Sequence, residues 1–252
     1  LSGQREGYIT DQIPYLFAGG VDNQRANGGA NEMGRSSQIG RANYSYMGKY
    51  LVEATIRRDG SAQFPEESRW GLFPSVSLGW RLSEEAFIKN LAGNVLSNLK
   101  IRGGFSQTGN DYVASNFPYL TGFGIRDLGY VIGDKTLQSY YTTGLPNPKL
   151  TWETMTLYNA GIDFALFSNK IYGELDAFYR LRDGILGTRN LSVPNTFGAT
   201  LPVENLNSQD TRGFELSLGY KGEIKDFNFD VSGNISWSRS KWVFFDEPTY
   251  TD

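Results

Sequence analysis

From residue 37 onward the chain alternates apolar and polar side chains with a period of two, and this limits its possible folds more than any other feature. Successive side chains of a pleated strand point to opposite faces, so each segment acquires one apolar and one polar side. Between 227 and 237 one side reads Phe227, Phe229, Val231, Gly233, Ile235, Trp237 and the other Asn228, Asp230, Ser232, Asn234, Ser236. The same division separates Tyr50, Val52, Ala54 and Ile56 from Leu51, Glu53, Thr55 and Arg57, and Val76, Leu78, Trp80 and Leu82 from Ser75, Ser77, Gly79 and Arg81. It separates Leu99, Ile101, Gly103 and Phe105 from Lys100, Arg102, Gly104 and Ser106, and Phe214, Leu216, Leu218 and Tyr220 from Glu215, Ser217 and Gly219. Segments 158–164 and 171–180 follow it less cleanly. The pattern predicts about eight strands, over 37–46, 50–59, 69–82, 97–107, 152–167, 170–181, 211–220 and 227–239, many of them reaching the ~9–11 residues of a tilted membrane strand.

Composition narrows the function classes. The chain has 30 Gly, 16 Phe, 15 Tyr and 5 Trp, which favours sheet and turn over helix, and neither Cys nor His. Without these two types there is no disulfide framework, no thiolate metal site, and no imidazole general base or metal ligand. Asp and Glu are scattered, with no pair in a recognisable acid/base setting, so the sequence predicts neither an enzyme nor a bound cofactor. The Gly122–Gly124 GxG is not followed by a βαβ unit, and a net charge of -3 with dispersed Lys and Arg offers no stripe for nucleic acid. No stretch approaches the about 20 apolar residues of a membrane helix. A mean hydropathy of -0.40 still suits a membrane barrel, because its two faces average out.

The connections alternate short and long. Short ones are expected at 47–49, 168–169 and 221–226, with a fourth at 83–96 that could form a helical turn capped by Ser83. Long ones are expected at 60–68, 108–151 and 182–210, where GLPNPKL and VPNTFG carry turn chemistry. Membrane barrels show this asymmetry, with short periplasmic turns and longer outside loops. The organisation read from it is an external loop region over 1–36, barrel strands and their loops over 37–240, and the start of another external loop over 241–252. Aromatics fit the same frame: Tyr44, Tyr46, Tyr50, Trp80, Tyr220 and Phe227 flank short turns as an inner girdle, with Tyr179 and Trp237 placed in an outer one.

The segments YSYMGKYLVEATIRRDGSAQFPEESRWGLFPSVSLGWRLSEEAF, LSNLKIRGGFSQTGN, GLPNPKLTWETMTLYNAGIDFALFSNKIYGELDAFYR and TRGFELSLGY, in this order, resemble the later barrel of the SusC/RagA family of TonB-dependent outer-membrane transporters. The likeness covers nearly everything from 37 to 238, although Gln63 and Pro65 depart from the usual wording after RRDGS. It implies an all-β, antiparallel transmembrane β-barrel of about twenty-two strands, of which this chain supplies about eight, in the outer membrane of a Gram-negative bacterium. It further implies nutrient import of glycan or oligopeptide, contact with outer-membrane lipid, a SusD-like surface lipoprotein as lid, and TonB acting through a plug. No plug and no closing aromatic C-terminus are recognised, so the chain reads as part of a longer protein.

In that barrel Glu53, Arg57, Lys100, Arg102, Asp163, Glu174, Asp176 and Arg180 are the candidate lumen-facing path. A small closed barrel would have to pack these charges with every one paired, whereas a wide wet lumen holds them without that demand. Three other features are weighed as structural first. Asp-Gly in RRDGS (57–61) makes a turn more readily than a ligand contact. NPKLTWE is read as a loop joining a strand, anchored by Trp152. Phe117, Tyr119, Phe123, Tyr130, Tyr140 and Tyr141 could stack on sugar rings but more simply hold a long loop together. The rival architectures are a soluble carbohydrate-binding β-sandwich, whose apolar faces would meet in one core, and a structural barrel subunit of a larger outer-membrane complex.

Overall fold

The computed structural model describes residues 2–8, 15–16, 24–27, 32–93, 95–189 and 198–247. The chain divides into two units, Leu1–Met33 and Gly34–Asp252. In the first, β1 (Ser2–Gln4) pairs antiparallel with β2 (Arg25–Asn27). The second holds an eight-stranded antiparallel sheet: β3 (Arg35–Tyr46), β4 (Tyr50–Ser61), β5 (Trp70–Arg81), β6 (Leu96–Asn110), β9 (Glu153–Leu166), β10 (Ile171–Thr188), β11 (Val203–Ile224) and β12 (Phe227–Phe244), in that spatial order. Neighbours in the chain are neighbours in the sheet except at β6 and β9. Between them β7 (Phe123–Ile132) and β8 (Lys135–Thr142) form a separate hairpin. The sheet is open, with β3 and β12 as its edges.

Register carries the alternation across the whole sheet. Trp80, Ile101, Ile162, Leu175, Leu216 and Ile235 are successive cross-strand partners, and so are Leu78, Gly103, Ala160, Ala177, Phe214 and Trp237. These rows form one apolar face, and among the described residues of this unit it packs on no second layer: Leu78 is 56% exposed, Ile235 60% and Val231 64%. A continuous apolar face of this width is unsuited to water and needs an apolar solvent of its own. The sandwich reading required these residues to meet in a core, and they do not. Among the described residues the buried apolar side chains are only Phe64, Phe73, Val113, Leu150 and Ala165.

Several strand limits differ from the sequence reading. β10 runs on to Thr188 and β11 begins at Val203, so much of the expected 182–210 loop is strand, and β12 continues past 240 to Phe244. Tyr179 and Trp237 therefore lie within strands rather than at their outer ends. RRDGS makes no turn: β4 continues through Ser61, Gly60 pairs with Trp70 and lies under its ring, and the chain turns after Ser61. The VPNTFG cluster at 193–198 lies outside the described residues except for its last glycine, and so does 248–252.

At the short-turn end the connection after β5 does form a helix, α1 (Ala86–Ala92), but Ser83 does not cap it. Ser83 lies in the preceding 3-10 turn, buried and with no partner for its Oγ among the described residues. The residue before the helix is Glu85, whose carboxylate accepts hydrogen bonds from Lys49 Nζ (2.9 Å), Tyr50 OH (2.8 Å) and Trp80 Nε1 (3.2 Å). The Lys49 bond, followed by those from Tyr50 and Trp80, holds the Glu85 carboxyl down to about 2 from an ordinary 4.5. A depressed carboxyl stabilises the fold fully above its unfolded value and ceases to do so as pH falls through the folded one. We expect the intact protein to lose stability between about pH 4.5 and pH 2 through this group, and Glu85→Gln to flatten that part of a melting-temperature profile. An unchanged profile in the variant would show that the clamp contributes nothing.

Candidate functional site

The polar face is built by the same register. Lys100, Asp163, Glu174, Ser217 and Asn234 form one row, and Arg102, Gly161, Asp176, Glu215 and Ser236 the next. Charges that are 61 and 74 residues apart in sequence are thereby brought into one cluster. Arg102 donates through Nε to Asp163 Oδ1 at 2.8 Å and through a terminal nitrogen to Asp176 Oδ1 at 2.6 Å. Its other terminal nitrogen bonds Asp176 Oδ2 and lies 3.8 Å from Glu174. Lys100 stands 3.5 Å from Asp163, and Asn159 Nδ2 donates to Asp176 Oδ1 at 3.2 Å.

The fork of the guanidinium suits this bridging of three strands, since it donates in a plane to two carboxylates at once. The residue between the partners has to be small. A Cβ on Gly161 would come within 2.7 Å of Asp176 Oδ1 and 2.9 Å of Arg102 Cζ, so glycine leaves room for the ion pair to lie on the β9 backbone. Asp176 faces Glu215 across the β10–β11 ladder, which leaves the patch with more carboxylates than cations.

Of the eight predicted path residues, Lys100, Arg102, Asp163, Glu174 and Asp176 meet in this cluster. Glu53 lies on the same face, opposite Ser77, and shares a hollow of about 620 Å3 with Lys100, Arg102 and Asn159. Arg57 sits toward the far end of β4 and binds Asp59 instead, Nε to Oδ2 at 2.5 Å. Arg180 faces Leu157 and Thr211, and its Nε has no hydrogen-bond partner among the described residues. The pairing of these charges was not required by a wet lumen; register brings it about.

Sequence reasoning missed the polar residues that fasten the long-loop end. Asn205 Nδ2 donates to the carbonyls of Thr151 (2.9 Å) and Gly184 (2.8 Å), and its Oδ1 accepts from Thr151 N. Asn147 binds Val203 O in the same manner, and Arg182 pairs with Glu153 at 2.5 Å. Arg35 makes two bonds to Asp111, which also accepts from Ser61 Oγ. Asparagine in a loop is so common a turn residue that nothing in its sequence context marked these as ties between strands. The loop aromatics do not form the expected internal core, since Phe123, Tyr130 and Tyr140 are at least two-thirds exposed. The core at that end is Phe64, Val113 and Leu150, with Trp152 and Leu186 against it. Trp152 does anchor the start of β9, against Phe64 and Phe73.

The family model described as "TonB dependent receptor-like, beta-barrel" matches residues 5–252. The TonB-dependent receptor SusC of Bacteroides thetaiotaomicron is 38% identical over 211 residues, which is 81% of this chain and 20% of that protein. The TonB-dependent receptor P3 of Formosa agariphila is 29% identical over 238 residues, 94% of this chain and 23% of that protein. The chain thus spans about a fifth of the length of these curated relatives. Among solved structures, the RagAB peptide importer in its closed-closed state superposes over 97% of this chain and 26% of its own, with a TM-score of 0.78 at 23% identity. The open-open state gives the same TM-score over 95% of this chain, so the fold is that of a transmembrane barrel wall.

Proposed function

The chain belongs to the TonB-dependent receptor-like β-barrel family, and from that premise we propose that it forms part of the wall of an outer-membrane nutrient importer. Its apolar face meets lipid and its polar face lines the import path. The observation that carries this reading is the register: one uninterrupted apolar face on eight strands, with the Arg102 cluster on the other. The long-loop end faces the cell exterior, where a SusD-like surface lipoprotein closes the path, and the short-turn end faces the periplasm. TonB supplies energy through a plug held in another part of the protein. The role is transport rather than catalysis. Glycan and oligopeptide are the two cargo classes.

A charge scan of the intact protein tests the reading. Arginine placed at Val76 or Ile235, on the apolar face, costs ~2–4 kcal/mol near the bilayer midplane and is expected to abolish assembly in the outer membrane. Arginine at Ser77 or Ser232, on the polar face, is expected to assemble. Among variants that assemble, Arg102→Gln is expected to slow uptake of labelled peptide or oligosaccharide, because it leaves Asp163, Glu174 and Asp176 without their shared cation. Equal tolerance of arginine on both faces would falsify the membrane assignment, and normal uptake in Arg102→Gln would remove the cluster from the path.

A further inference from the structure

The short-turn end carries apolar residues where water-facing turns carry polar ones. Leu91 is 85% exposed, and Phe87, one helical turn before it in α1, is 59% exposed; Lys89 falls on the opposite side of the helix by the ~100° step between residues. Two neighbouring turns repeat the anomaly. Met47 is 69% and Phe167 48% exposed, and both sit in the left-handed region, with φ of 52° and 53°. Bulky apolar residues seldom adopt that conformation, and a turn exposed to water would favour Gly or Asn there.

Position says what covers them. Glu85, directly before α1, is held by Tyr50 and Trp80, two residues of the apolar face, so the helix starts on the outer side of the wall. Tyr46, Tyr50 and Trp80 stack in sequence at 6.4 and 6.2 Å, a row of amphipathic rings of the kind that marks the level of lipid headgroups. The phenol and indole of the last two point their polar groups at Glu85. The backbone of Val95, after the helix, binds Phe167 in the next turn, its carbonyl accepting from Phe167 N at 2.7 Å. Phe87, Leu91, Met47 and Phe167 thus lie at the same end of the wall as this aromatic row, where Lys49 pairs with Glu85 and Lys89 with Glu84.

We propose that α1 and the flanking turns form a foot immersed in the periplasmic leaflet, with Phe87 and Leu91 at the boundary between headgroups and acyl chains. The foot would fix the height of the wall in the membrane from its inner side. This rests on the membrane reading of the sheet, and the experiment separates the two.

The chain has no cysteine, so single nitroxide labels at Phe87→Cys, Leu91→Cys and Lys89→Cys, with Ile101→Cys as a strand control, can be placed in the intact transporter against a background freed of any cysteines outside this segment. The protein is reconstituted in phosphatidylcholine–phosphatidylglycerol vesicles and relaxed by oxygen, which concentrates in lipid, or by a nickel chelate, which stays in water. Oxygen is expected to dominate at 87, 91 and 101 and the chelate at 89. Chelate dominance at 87 and 91 with oxygen dominance at 101 overturns the foot alone. Protection of 87 and 91 from both reagents also overturns it, by showing protein rather than lipid there. Chelate dominance at 101 overturns the membrane reading itself. All four labels sit on exposed side chains, and the strand control reports whether the barrel has inserted.

Discussion

Trp152→Ala is expected to release the long-loop end of the sheet while leaving the eight-stranded wall in place. The indole packs on Phe64 at 5.1 Å and Phe73 at 5.4 Å, and its Nε1 donates to Arg69 O at 3.3 Å. Phe64 and Leu150, the most deeply buried side chains at that end, have few other apolar neighbours. Truncating a large aromatic in a core costs ~3–5 kcal/mol, and a core of five residues has little with which to close the cavity. The strands themselves are held by a ladder that Trp152 does not join, so the loss stays local. Hydrogen exchange on the intact protein checks this: amides of 62–68 and 147–151 lose protection in the variant, and those of β9 and β10 keep theirs. Unchanged exchange in both loops would show that the asparagine and arginine ties hold them without the indole.

Gly213→Val is expected to act on the wall itself. Gly213 lies within TRGFELSLGY, and a Cβ there would overlap the Trp237 carbonyl of β12 and come within 2.7 Å of the Phe178 ring of β10. The ring can rotate, but the carbonyl belongs to the β11–β12 ladder and moves only if the strands separate. Overpacking of this kind costs roughly 3 kcal/mol, the upper part of its usual range, and it falls where β12 is paired on one side only. We expect little Gly213→Val protein assembled in the membrane, with a lower urea midpoint for what does assemble. Gly233→Val on the neighbouring strand has open space at its Cβ and serves as the control, expected to behave as wild type.

Eight strands, their apolar faces and the family were legible in the sequence because lipid and water make opposite demands on alternate residues. Where that contrast ceases, so does the signal. β11 has 22 residues, or about 70 Å at ~3.3 Å each, more than a tilted strand needs to cross a hydrocarbon core of ~30 Å. Its first part, with Asn205, Asn207 and Asp210, carries polar side chains toward both faces. The residues there read as loop, although they pair with β10 as strand. RRDGS misled for a related reason, since Asp-Gly prefers a turn only when nothing buries the Asp or covers the Gly. Here Asp59 is buried and Trp70 lies over Gly60.

Side-chain direction was therefore set by the sequence, residue by residue, through a steric rule that needs no partner. Partnership was decided by the tertiary structure alone. That Arg102 lies between Asp163 and Asp176 depends on β6 skipping a hairpin to pair with β9, and on a register that seats all three around Gly161. The covering of Trp152 and the placement of α1 on the outer side of the wall are decided likewise. Alternation is a property of one strand, whereas an ion pair, a loop core or a lipid-facing foot comes from how separate segments are brought side by side.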